Sequence, residues 1–255
     1  MDLQLKRQRA IVTAGAAGIG RAIVDAMLDA GMTVATCDID ENALATLPDT
    51  VLRKRVDVSD ERALTAFTDW AIAELGGLDC LVNNAGIAGP TARIEDIETT
   101  DWRKTLDIVL TSQFLTVSRS VAALRESVNP SITNMSSIAG RVGFALRTPY
   151  AAAKWGVIGL TKSLAIELGE SGIRVNAILP GLVAGDRQRR VLEAKAQQRG
   201  QSFAEVEAEA FRYTSIKEYV PSEAIAAQIL YLASPLGRFV SGQAISVCGD
   251  TRMLA

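Results

Sequence analysis

Short runs of β-branched residues alternate with longer amphipathic stretches along the whole sequence, and this alternation limits the possible folds more than any other feature. RAIVTAG precedes a helical pattern at 18–30, and TVATCDI precedes another at about 40–47. Five further runs, from VLRKRVDV to AISVCG, continue the alternation, with helical patterns at 60–75, 100–124, 149–169 and 221–233. The order predicts an α/β fold with a doubly wound parallel sheet of about seven strands and helices on both faces.

No linker or low-complexity tract interrupts this pattern, so we expect residues 1–255 to form a single domain. The sequence is 48% hydrophobic, which is enough for a large core. Residues 184–215, rich in Ala, Gln, Glu and Arg, fit the alternation least well. We predict that this segment is a helical insertion that forms a lid over the substrate end of the sheet.

The composition excludes several classes of protein. A formal net charge of −2 argues against a general nucleic-acid binder, whose phosphate contacts need a basic surplus. The amino terminus has no apolar signal core and no run spans a bilayer, so we expect a cytoplasmic protein with no membrane partner. Cys37, Cys80 and Cys248 are widely scattered and the chain has no histidine, which predicts buried, reduced cysteines and neither a disulfide nor a metal site.

A glycine-rich turn follows the first predicted strand, where a doubly wound sheet places its ligand crevice. It reads TAGAAGIG, with Gly15, Gly18, Ile19 and Gly20 at the start of the next helix. Glycines there let the backbone approach a pyrophosphate, and the free N–H groups of the helix face its charge. The turn therefore predicts a dinucleotide site; the alternative is a plain tight turn.

An acidic residue at the end of the second predicted strand indicates which dinucleotide binds. Asp38 lies eighteen residues after Gly20, where a carboxylate can accept both hydroxyl hydrogen bonds of an adenosine ribose. The same carboxylate repels a 2′-phosphate, and the next residue, Ile39, is not an arginine that would bind one. NAD is therefore favoured over NADP, unless Asp38 merely caps the following helix.

The absence of histidine means that an enzyme with this sequence needs another group to move protons. In TPYAAAKWGV, Tyr150 and Lys154 are four residues apart, so both side chains lie on one face of a helix. Lowering a phenol pKa from about 10 to about 7 needs about 4 kcal/mol. A cation about 4 Å away at an effective dielectric of about 20 supplies roughly that much, so Tyr150 becomes a usable base.

Taken together, the motifs resemble those of the short-chain dehydrogenases/reductases, single-domain enzymes with a Rossmann-type fold. The resemblance extends over nearly the whole chain and rests on the glycine turn, Asp57-Val58, Asn83-Asn84-Ala85-Gly86, Ser137, Tyr150 with Lys154, and Pro180-Gly181, in this order. It implies that Ser137, Tyr150 and Lys154 are catalytic, with Ser137 binding the substrate oxygen while Ser136 only closes a turn. The residues that it implies for cofactor binding are Gly15, Gly18, Ile19, Gly20, Asp38, Asp57, Val58, Asn84, Ala85, Gly86, Tyr150, Lys154, Pro180, Gly181 and Val183.

Two positions depart from the family pattern. Ala14 stands where the family has glycine, and Val109 stands where the family has an asparagine that holds a water in a proton relay. Valine cannot hydrogen-bond through its side chain. Either backbone carbonyls and neighbours such as Thr111 or Ser112 hold that water, or the protein binds NAD without catalysing a reaction.

The resemblance implies an NAD-dependent oxidoreductase that interconverts a secondary alcohol with a ketone or lactone-type carbonyl on a small polar substrate, such as a sugar or a sugar acid. The alternatives are an NADPH-dependent 3-oxoacyl or keto reductase and a non-catalytic NAD-binding protein. It also implies a homotetramer or homodimer, joined through the helices at 100–124 and 149–169 and the carboxyl-terminal strand. Leu115, Trp155, Ile158 and Leu164 lie on those helices and are either interface or core residues.

Basic residues are concentrated in the predicted lid. Between positions 186 and 199, Arg187, Arg189, Arg190, Lys195 and Arg199 outnumber Asp186 and Glu193. Arginine binds carboxylate, sulfonate and phosphate groups well, so we expect an anionic hydroxy compound as the substrate. Alternatively, these basic residues pair with Glu205, Glu207 and Glu209 across a solvated helical lid.

Overall fold

The computed structural model describes residues 2–252, which form a seven-stranded parallel sheet with helices on both faces. The strands are β1 (Arg9–Thr13), β2 (Thr33–Asp38), β3 (Leu52–Arg55), β4 (Cys80–Asn83), β5 (Ser131–Met135), β6 (Arg174–Pro180) and β7 (Ala244–Val247). The helices are α1 (Gly18–Asp29), α2 (Glu41–Ala45), α3 (Glu61–Leu75), α4 (Thr99–Leu106), α5 (Ser112–Arg125), α6 (Thr148–Glu167), α7 (Asp186–Arg199), α8 (Phe203–Arg212) and α9 (Ser222–Ala233). The predicted α/β architecture is confirmed.

The strand order shows where a ligand crevice forms. The order across the sheet is β3-β2-β1-β4-β5-β6-β7, and every pair is parallel. The chain moves outward in one direction from β1 to β3 and in the other from β4 to β7. The order therefore reverses between β1 and β4, so the loops that follow these two strands diverge and leave a crevice between them.

Alternating side chains of each strand divide the core into two layers. On β1, Ala10 and Val12 face a cluster that includes residues of α1 and α9. Ile11, between them, faces the opposite cluster, which includes residues of α3 and α5. This is the period of two expected of a strand, and because both faces are covered the strands are apolar on both sides.

Two regions differ in detail from the predicted helices. The helix predicted at 100–124 contains a π turn at Asp107–Thr111, which separates α4 from α5. The predicted insertion at 184–215 forms α7 and α8, which are separated at Gly200 with a φ of 63°. We name these two helices and their connection the α7–α8 segment; its buried residues Leu192, Ala196 and Val206 form a small cluster of their own.

All three cysteines are buried and unpaired, as predicted. Cys37 and Cys80 lie in β2 and β4, and Cys248 directly follows β7. Within residues 2–252, none of the helices combines the length and the apolar character that crossing a membrane requires.

Candidate active site

A cleft with a volume of about 930 Å³ opens beyond the carboxyl ends of the strands. The glycine turn and Asp38 line one end of it, which we name the β1–β2 end. Ser137, Tyr150 and Lys154 line its middle, and residues of α7 and α8 line the other end. The structure thus brings together in one cleft residues that lie far apart in the sequence.

The turn after β1 depends on close backbone packing. Ala14 and Gly18 both adopt a left-handed φ of 54°. A side chain at Gly20 would place its Cβ 1.9 Å from the carbonyl oxygen of Ala14, so only glycine fits there. Gly15 lies beneath the turn, where its N–H donates to the hydroxyl of Thr36 at 3.1 Å. Glycine would adopt this left-handed conformation without strain, whereas for Ala14 it costs about 1–2 kcal/mol.

Helix α1 begins with unused backbone donors. Its N-cap residue, Ala17, has no side-chain acceptor, and the first turn contains no acidic residue. The N–H groups of Gly18, Ile19 and Gly20 consequently face the cleft without a capping partner from a side chain. Such an end attracts an anion, and a pyrophosphate fits it.

Asn84 and Thr13 fasten the turn to the end of β4. The Asn84 Nδ2 donates to the carbonyl oxygens of Thr13 and Ala14, both at 3.0 Å. In return, the Thr13 hydroxyl oxygen accepts hydrogen bonds from the N–H groups of Asn84 and Ala85, also at 3.0 Å. These bonds hold the two loops at the crevice in one relative position.

The Asp38 carboxylate lines the cleft at the end of β2. Its Oδ2 accepts a hydrogen bond from the N–H of Ala16 at 3.1 Å. Helix α2 is capped by Asp40, whose side chain accepts from the N–H of Ala43, so the proposal that Asp38 caps this helix is wrong. Arg55, a basic residue that the sequence pattern does not reveal, lies beside the end of β2. Its Nε donates to the carbonyl oxygen of Ile39, the residue after Asp38, at 3.3 Å.

Tyr150 and Lys154 project into the middle of the cleft from the first two turns of α6. Lys154 is 3% exposed. Its Nζ lies 5.6 Å from the centroid of the Tyr150 ring and donates to the carbonyl oxygen of Met135 at 2.6 Å. The buried Ser137 follows β5 and lines the same part of the cleft. Ser136 instead donates to the carbonyl oxygen of Lys154 at 2.8 Å, which fastens α6 to β5.

The electrostatics of this group favour a tyrosine base. Burial raises the pKa of the Tyr150 phenol, but Lys154 and Arg187, followed by the Ser137 hydroxyl and Arg147, lower it further than burial raises it. The net pKa of Tyr150 therefore lies below the usual value of a tyrosine. Burial also lowers the pKa of Lys154 to about 8, although the charge of Tyr150 opposes this shift.

The π turn places an unexpected polar side chain next to Lys154. The Nε2 of Gln113 donates to the carbonyl oxygens of Val109 and Met135, at 2.9 Å and 3.3 Å. The Oε1 of Gln113 is buried and has no hydrogen-bond partner in residues 2–252. The two neighbours considered from the sequence are not available for this role, because Thr111 is exposed and the Ser112 hydroxyl donates to the carbonyl oxygen of Ile108. The polar side chain beside Lys154 is instead Gln113, which the sequence analysis missed.

Four of the residues expected to contact the cofactor do not line the cleft: Gly15, Asp57, Val58 and Ala85. Gly15 and Ala85 are buried directly behind its wall. Asp57 accepts hydrogen bonds from the N–H and the hydroxyl of Ser59, and these bonds lower the pKa of its carboxyl group. Gly86, Pro180, Gly181 and Val183 all line the cleft, as do the other predicted residues.

The basic residues of α7 divide into two groups. Arg199 pairs with Glu209 at 2.8 Å, as the alternative of a charge-paired lid predicts, and Arg189 pairs with Glu193 of its own helix at 2.9 Å. The cleft is lined by the paired Arg199 and by three residues without a salt bridge in residues 2–252, Arg187, Arg190 and Lys195, together with Arg147 from the loop before α6. The α7–α8 end of the cleft is therefore strongly basic, and Arg147 is a residue that the sequence analysis missed.

Comparisons with known proteins agree with this geometry. A family model described as "Enoyl-(Acyl carrier protein) reductase" matches residues 14–249. The chain is 36% identical over 251 residues to cis-4-hydroxycyclohexanecarboxylate dehydrogenase of Sinomonas cyclohexanicum, with 94% of each chain covered. It is 44% identical over 178 residues to 3-alpha-(or 20-beta)-hydroxysteroid dehydrogenase of Mycobacterium bovis, with 68% of each covered. The crystal structure of levodione reductase superposes with a TM-score of 0.89 at 28% identity and covers 96% of this chain and 97% of that one.

A doubly wound sheet with a dinucleotide-type turn and a tyrosine–lysine pair in one cleft defines an NAD(P)-dependent oxidoreductase that acts on CH–OH groups. The chain belongs to the short-chain dehydrogenase/reductase family.

Proposed function

We propose that this protein is an NAD-dependent dehydrogenase that interconverts a secondary alcohol and a ketone on a small substrate in the cytoplasm. The observation that supports this best is that Ser137, Tyr150 and Lys154 meet in one cleft that continues to the glycine turn and Asp38. In the same proposal the α7–α8 segment acts as a lid over the substrate, because residues of α7 and α8 line the cleft that also contains Ser137 and Tyr150.

The residues of the β1–β2 end fit NAD. The free N–H groups at the start of α1 would bind the pyrophosphate, and the Asp38 carboxylate would accept hydrogen bonds from the adenosine ribose. When bound, NAD supplies the acceptor for the hydride that leaves the carbinol carbon. Arg55 is the competing feature, since a basic side chain next to Ile39 suits a 2′-phosphate.

Each of the three central side chains has one task in this proposal. The Tyr150 phenolate accepts the proton of the substrate hydroxyl as the carbonyl forms, and the reverse transfer accompanies reduction. The Ser137 hydroxyl hydrogen-bonds the same substrate oxygen and stabilises the charge that develops on it. The positive charge of the Lys154 ammonium group lowers the pKa of Tyr150, so the phenolate forms at a lower pH than in a free tyrosine.

The relatives suggest the class of alcohol. The printed names of two of them specify a hydroxycyclohexanecarboxylate and hydroxysteroids, which are cyclic secondary alcohols. The cleft of about 930 Å³ is large enough for a nicotinamide and a ring of this kind. We therefore propose a cyclic hydroxy compound as the substrate in preference to a linear sugar.

A substrate panel tests the proposed function. The purified protein is incubated with NAD or NADP and with cyclohexanol, cis- and trans-4-hydroxycyclohexanecarboxylate, a hydroxysteroid, a sugar acid and a 3-hydroxyacyl thioester, and reduced cofactor is followed by its absorbance. We expect turnover of a cyclic alcohol with NAD. A preference for NADP and the thioester would instead support the 3-oxoacyl reductase, and no turnover of any of these alcohols with either cofactor would contradict the proposal.

We further propose that the chain assembles as a homodimer or homotetramer through α5 and α6. Phe114 and Trp155 expose about half of their surfaces on these helices, at 54% and 50%. Leu115 is buried and belongs to the core, whereas Ile158 and Leu164 are half-buried. Light scattering at micromolar concentration tests this proposal, and a monomeric mass would contradict it.

A further inference from the structure

Arg147 is a buried arginine whose hydrogen-bonding capacity is largely unused. It is 4% exposed and lines the cleft. Its Nε and Nη2 both donate to one acceptor, the carbonyl oxygen of Ala88, at 3.1 Å and 2.5 Å. Its Nη1 makes no hydrogen bond within residues 2–252, and the guanidinium lies over the ring of Tyr150 with 4.7 Å between Cζ and the ring centroid.

A second buried arginine, Arg174, shows which hydrogen-bond acceptors this chain provides for a guanidinium group with a structural role. Arg174 is 5% exposed. Its Nη1 donates to the carbonyl oxygens of Leu232 and Gly237, and its Nη2 donates to the side chain of Asn129. Arg174 does not line the cleft, and both terminal nitrogens have protein acceptors. Arg147 differs because a terminal nitrogen faces a cavity instead of an acceptor.

Two further cations face the same space. Arg187 lies near enough to Arg147 and Lys154 to lower the pKa of both side chains, after the larger effect of burial. The Nζ of Lys195 lies over the ring of Phe144, 4.5 Å from its centroid. Burial, together with the charges of Arg147 and Arg199 and opposed by Glu209, lowers the pKa of Lys195 to about 8. These groups repel one another, so the arrangement is unfavourable until an anion joins it.

The acidic residues near this space do not neutralise it. Glu209 lines the cleft, but its carboxylate pairs with Arg199 at 2.8 Å. Asp186 also lines the cleft and is exposed in the first turn of α7. Within the described part of the chain, Arg147, Arg187 and Lys195 form no salt bridge, whereas their neighbours Arg189 and Arg199 each form one.

We propose that the alcohol oxidised at Tyr150 carries a carboxylate, and that Arg147 binds this carboxylate with Arg187 and Lys195 beside it. This inference rests on the proposed function and extends it to the charge of the substrate. Arginine presents its donors as a planar fork that matches the two oxygens of a carboxylate. Because Arg147 lies against the ring of the proposed base, the carboxylate and the hydroxyl belong to one small molecule.

A matched pair of substrates tests this proposal. The wild-type enzyme is assayed with 4-hydroxycyclohexanecarboxylate and with its methyl ester, which differ in charge but keep the same ring and hydroxyl. We expect kcat/KM for the acid to exceed that for the ester by on the order of 10- to 100-fold, which is the effect of a hydrogen-bonded charge pair. Equal values for the acid and the ester would overturn the proposal and leave the dehydrogenase function intact.

Variants assign the effect to its residues. Arg147→Met and Lys195→Met should each reduce the preference for the acid over the ester, and a higher salt concentration should weaken it in the wild type. Arg189→Met is the matched control, because Arg189 lies on the same helix but is exposed and paired with Glu193, so the preference should not change. An unchanged preference in both cleft variants, with a raised KM for NAD, would show that the cations serve the cofactor and would overturn the proposal.

An equilibrium measurement separates this proposal from the proposed function. Cyclohexanecarboxylate and its amide are titrated into the wild-type protein with NADH, and binding is followed by calorimetry, which also serves if Arg147→Met does not fold. We expect the carboxylate to bind at least ten-fold more tightly than the amide, including in Tyr150→Phe, which removes the proposed base. No preference for the carboxylate would overturn the anion site even if the enzyme oxidises neutral alcohols. A wild-type protein that prefers the carboxylate but turns over no alcohol would contradict only the proposed function.

Discussion

The two ends of the cleft differ in the chemical groups that form their surfaces. At the β1–β2 end, backbone groups form the surface, and hydrogen bonds between Thr13 and Asn84 hold the loops of two buried strands together. At the α7–α8 end, long charged side chains form the surface, and a small apolar cluster around Leu192 lies beneath them. The first arrangement is rigid and suits a ligand that does not vary, whereas the second can differ between relatives without disturbing the sheet.

The largest expected effect on activity is that of removing the proposed base, Tyr150, which lies between the two ends of the cleft. Tyr150→Phe keeps the ring and loses the only hydroxyl that this position offers, so kcat should fall by about 10²- to 10⁴-fold. NAD affinity, measured by fluorescence titration, should change little, because the β1–β2 end is untouched. Undiminished turnover in this variant would remove Tyr150 from the mechanism.

The pH profile of the wild type gives an independent test of the same residue. The phenolate is the active form for oxidation, and the pKa of Tyr150 lies below that of a free tyrosine. Oxidation should therefore become faster as the pH rises and level off at a lower pH than a free phenol would give. Lys154→Met removes the strongest lowering effect on that pKa, so the rise in its profile should move to higher pH. A profile that does not move would contradict the role of Lys154.

Core substitutions should reveal the difference in rigidity between the sheet and the α7–α8 segment. Leu64 is fully buried in the layer between the sheet and α3, and Leu192 is as deeply buried in the small cluster. Leu64→Ala should lower the free energy of unfolding by about 2–5 kcal/mol. Leu192→Ala should lower it less and should instead increase hydrogen exchange within 186–212, because that segment can open by itself. Equal losses in both variants would show that the two regions unfold together.

Cofactor choice tests the β1–β2 end with a smaller effect. Asp38→Ala removes a charged acceptor that faces the cleft, so NAD should bind on the order of 10- to 100-fold more weakly while NADP changes less. Arg55→Ala is the informative partner, since it should lower affinity for NADP alone. A wild-type preference for NADP, lost in Arg55→Ala, would show that the arginine decides the choice and would contradict the interpretation of Asp38.

The features predicted from the sequence are those that repeat along the chain or follow a strand. Alternation gave the seven strands, and helix α1 begins at Gly18 as the glycine turn predicts. Asp38, Ser137 and Tyr150 lie in the cleft because each comes at a carboxyl end of the sheet or at the helix beside it. Such positions follow from topology, which a periodic pattern encodes.

Residues whose role depends on the direction of a long side chain were not predicted. Arg147 stands in a loop three residues before Tyr150, where no spacing indicates whether it faces solvent or the cleft. Arg187 and Arg189 are neighbours on one helix, yet Arg187 lines the cleft and Arg189 pairs outward with Glu193. Arg55 reaches Ile39 only because β3 lies next to β2, a contact between segments that are distant in sequence.

The π turn likewise has no pattern in the sequence, and its consequence concerns Val109. Gln113 Nε2 donates to the carbonyl oxygen of Val109, which lies within the turn. The same nitrogen shares the Met135 carbonyl oxygen with Lys154, so Gln113 is coupled to the ammonium group through one acceptor. A buried amide oxygen that has no hydrogen-bond partner among residues 2–252, such as Gln113 Oε1, suits a bridging water.

The proposed role of Gln113 in proton delivery has the smallest expected effect of these tests, comparable to the loss of one neutral hydrogen bond. Gln113→Leu should lower kcat by on the order of 2- to 10-fold, leave KM unchanged and enlarge the solvent isotope effect. Val109→Asn alone should change little, because Gln113 already occupies the carbonyl oxygen at that position; the double variant should recover part of the loss, since adjacent sites couple. Gln113→Met, which keeps the length of the side chain but removes its hydrogen bonds, separates the loss of the polar group from a change of packing. If Gln113→Leu lowers thermal stability but leaves kcat and the isotope effect unchanged, Gln113 only fills space beside Lys154 and protons reach Tyr150 by another route.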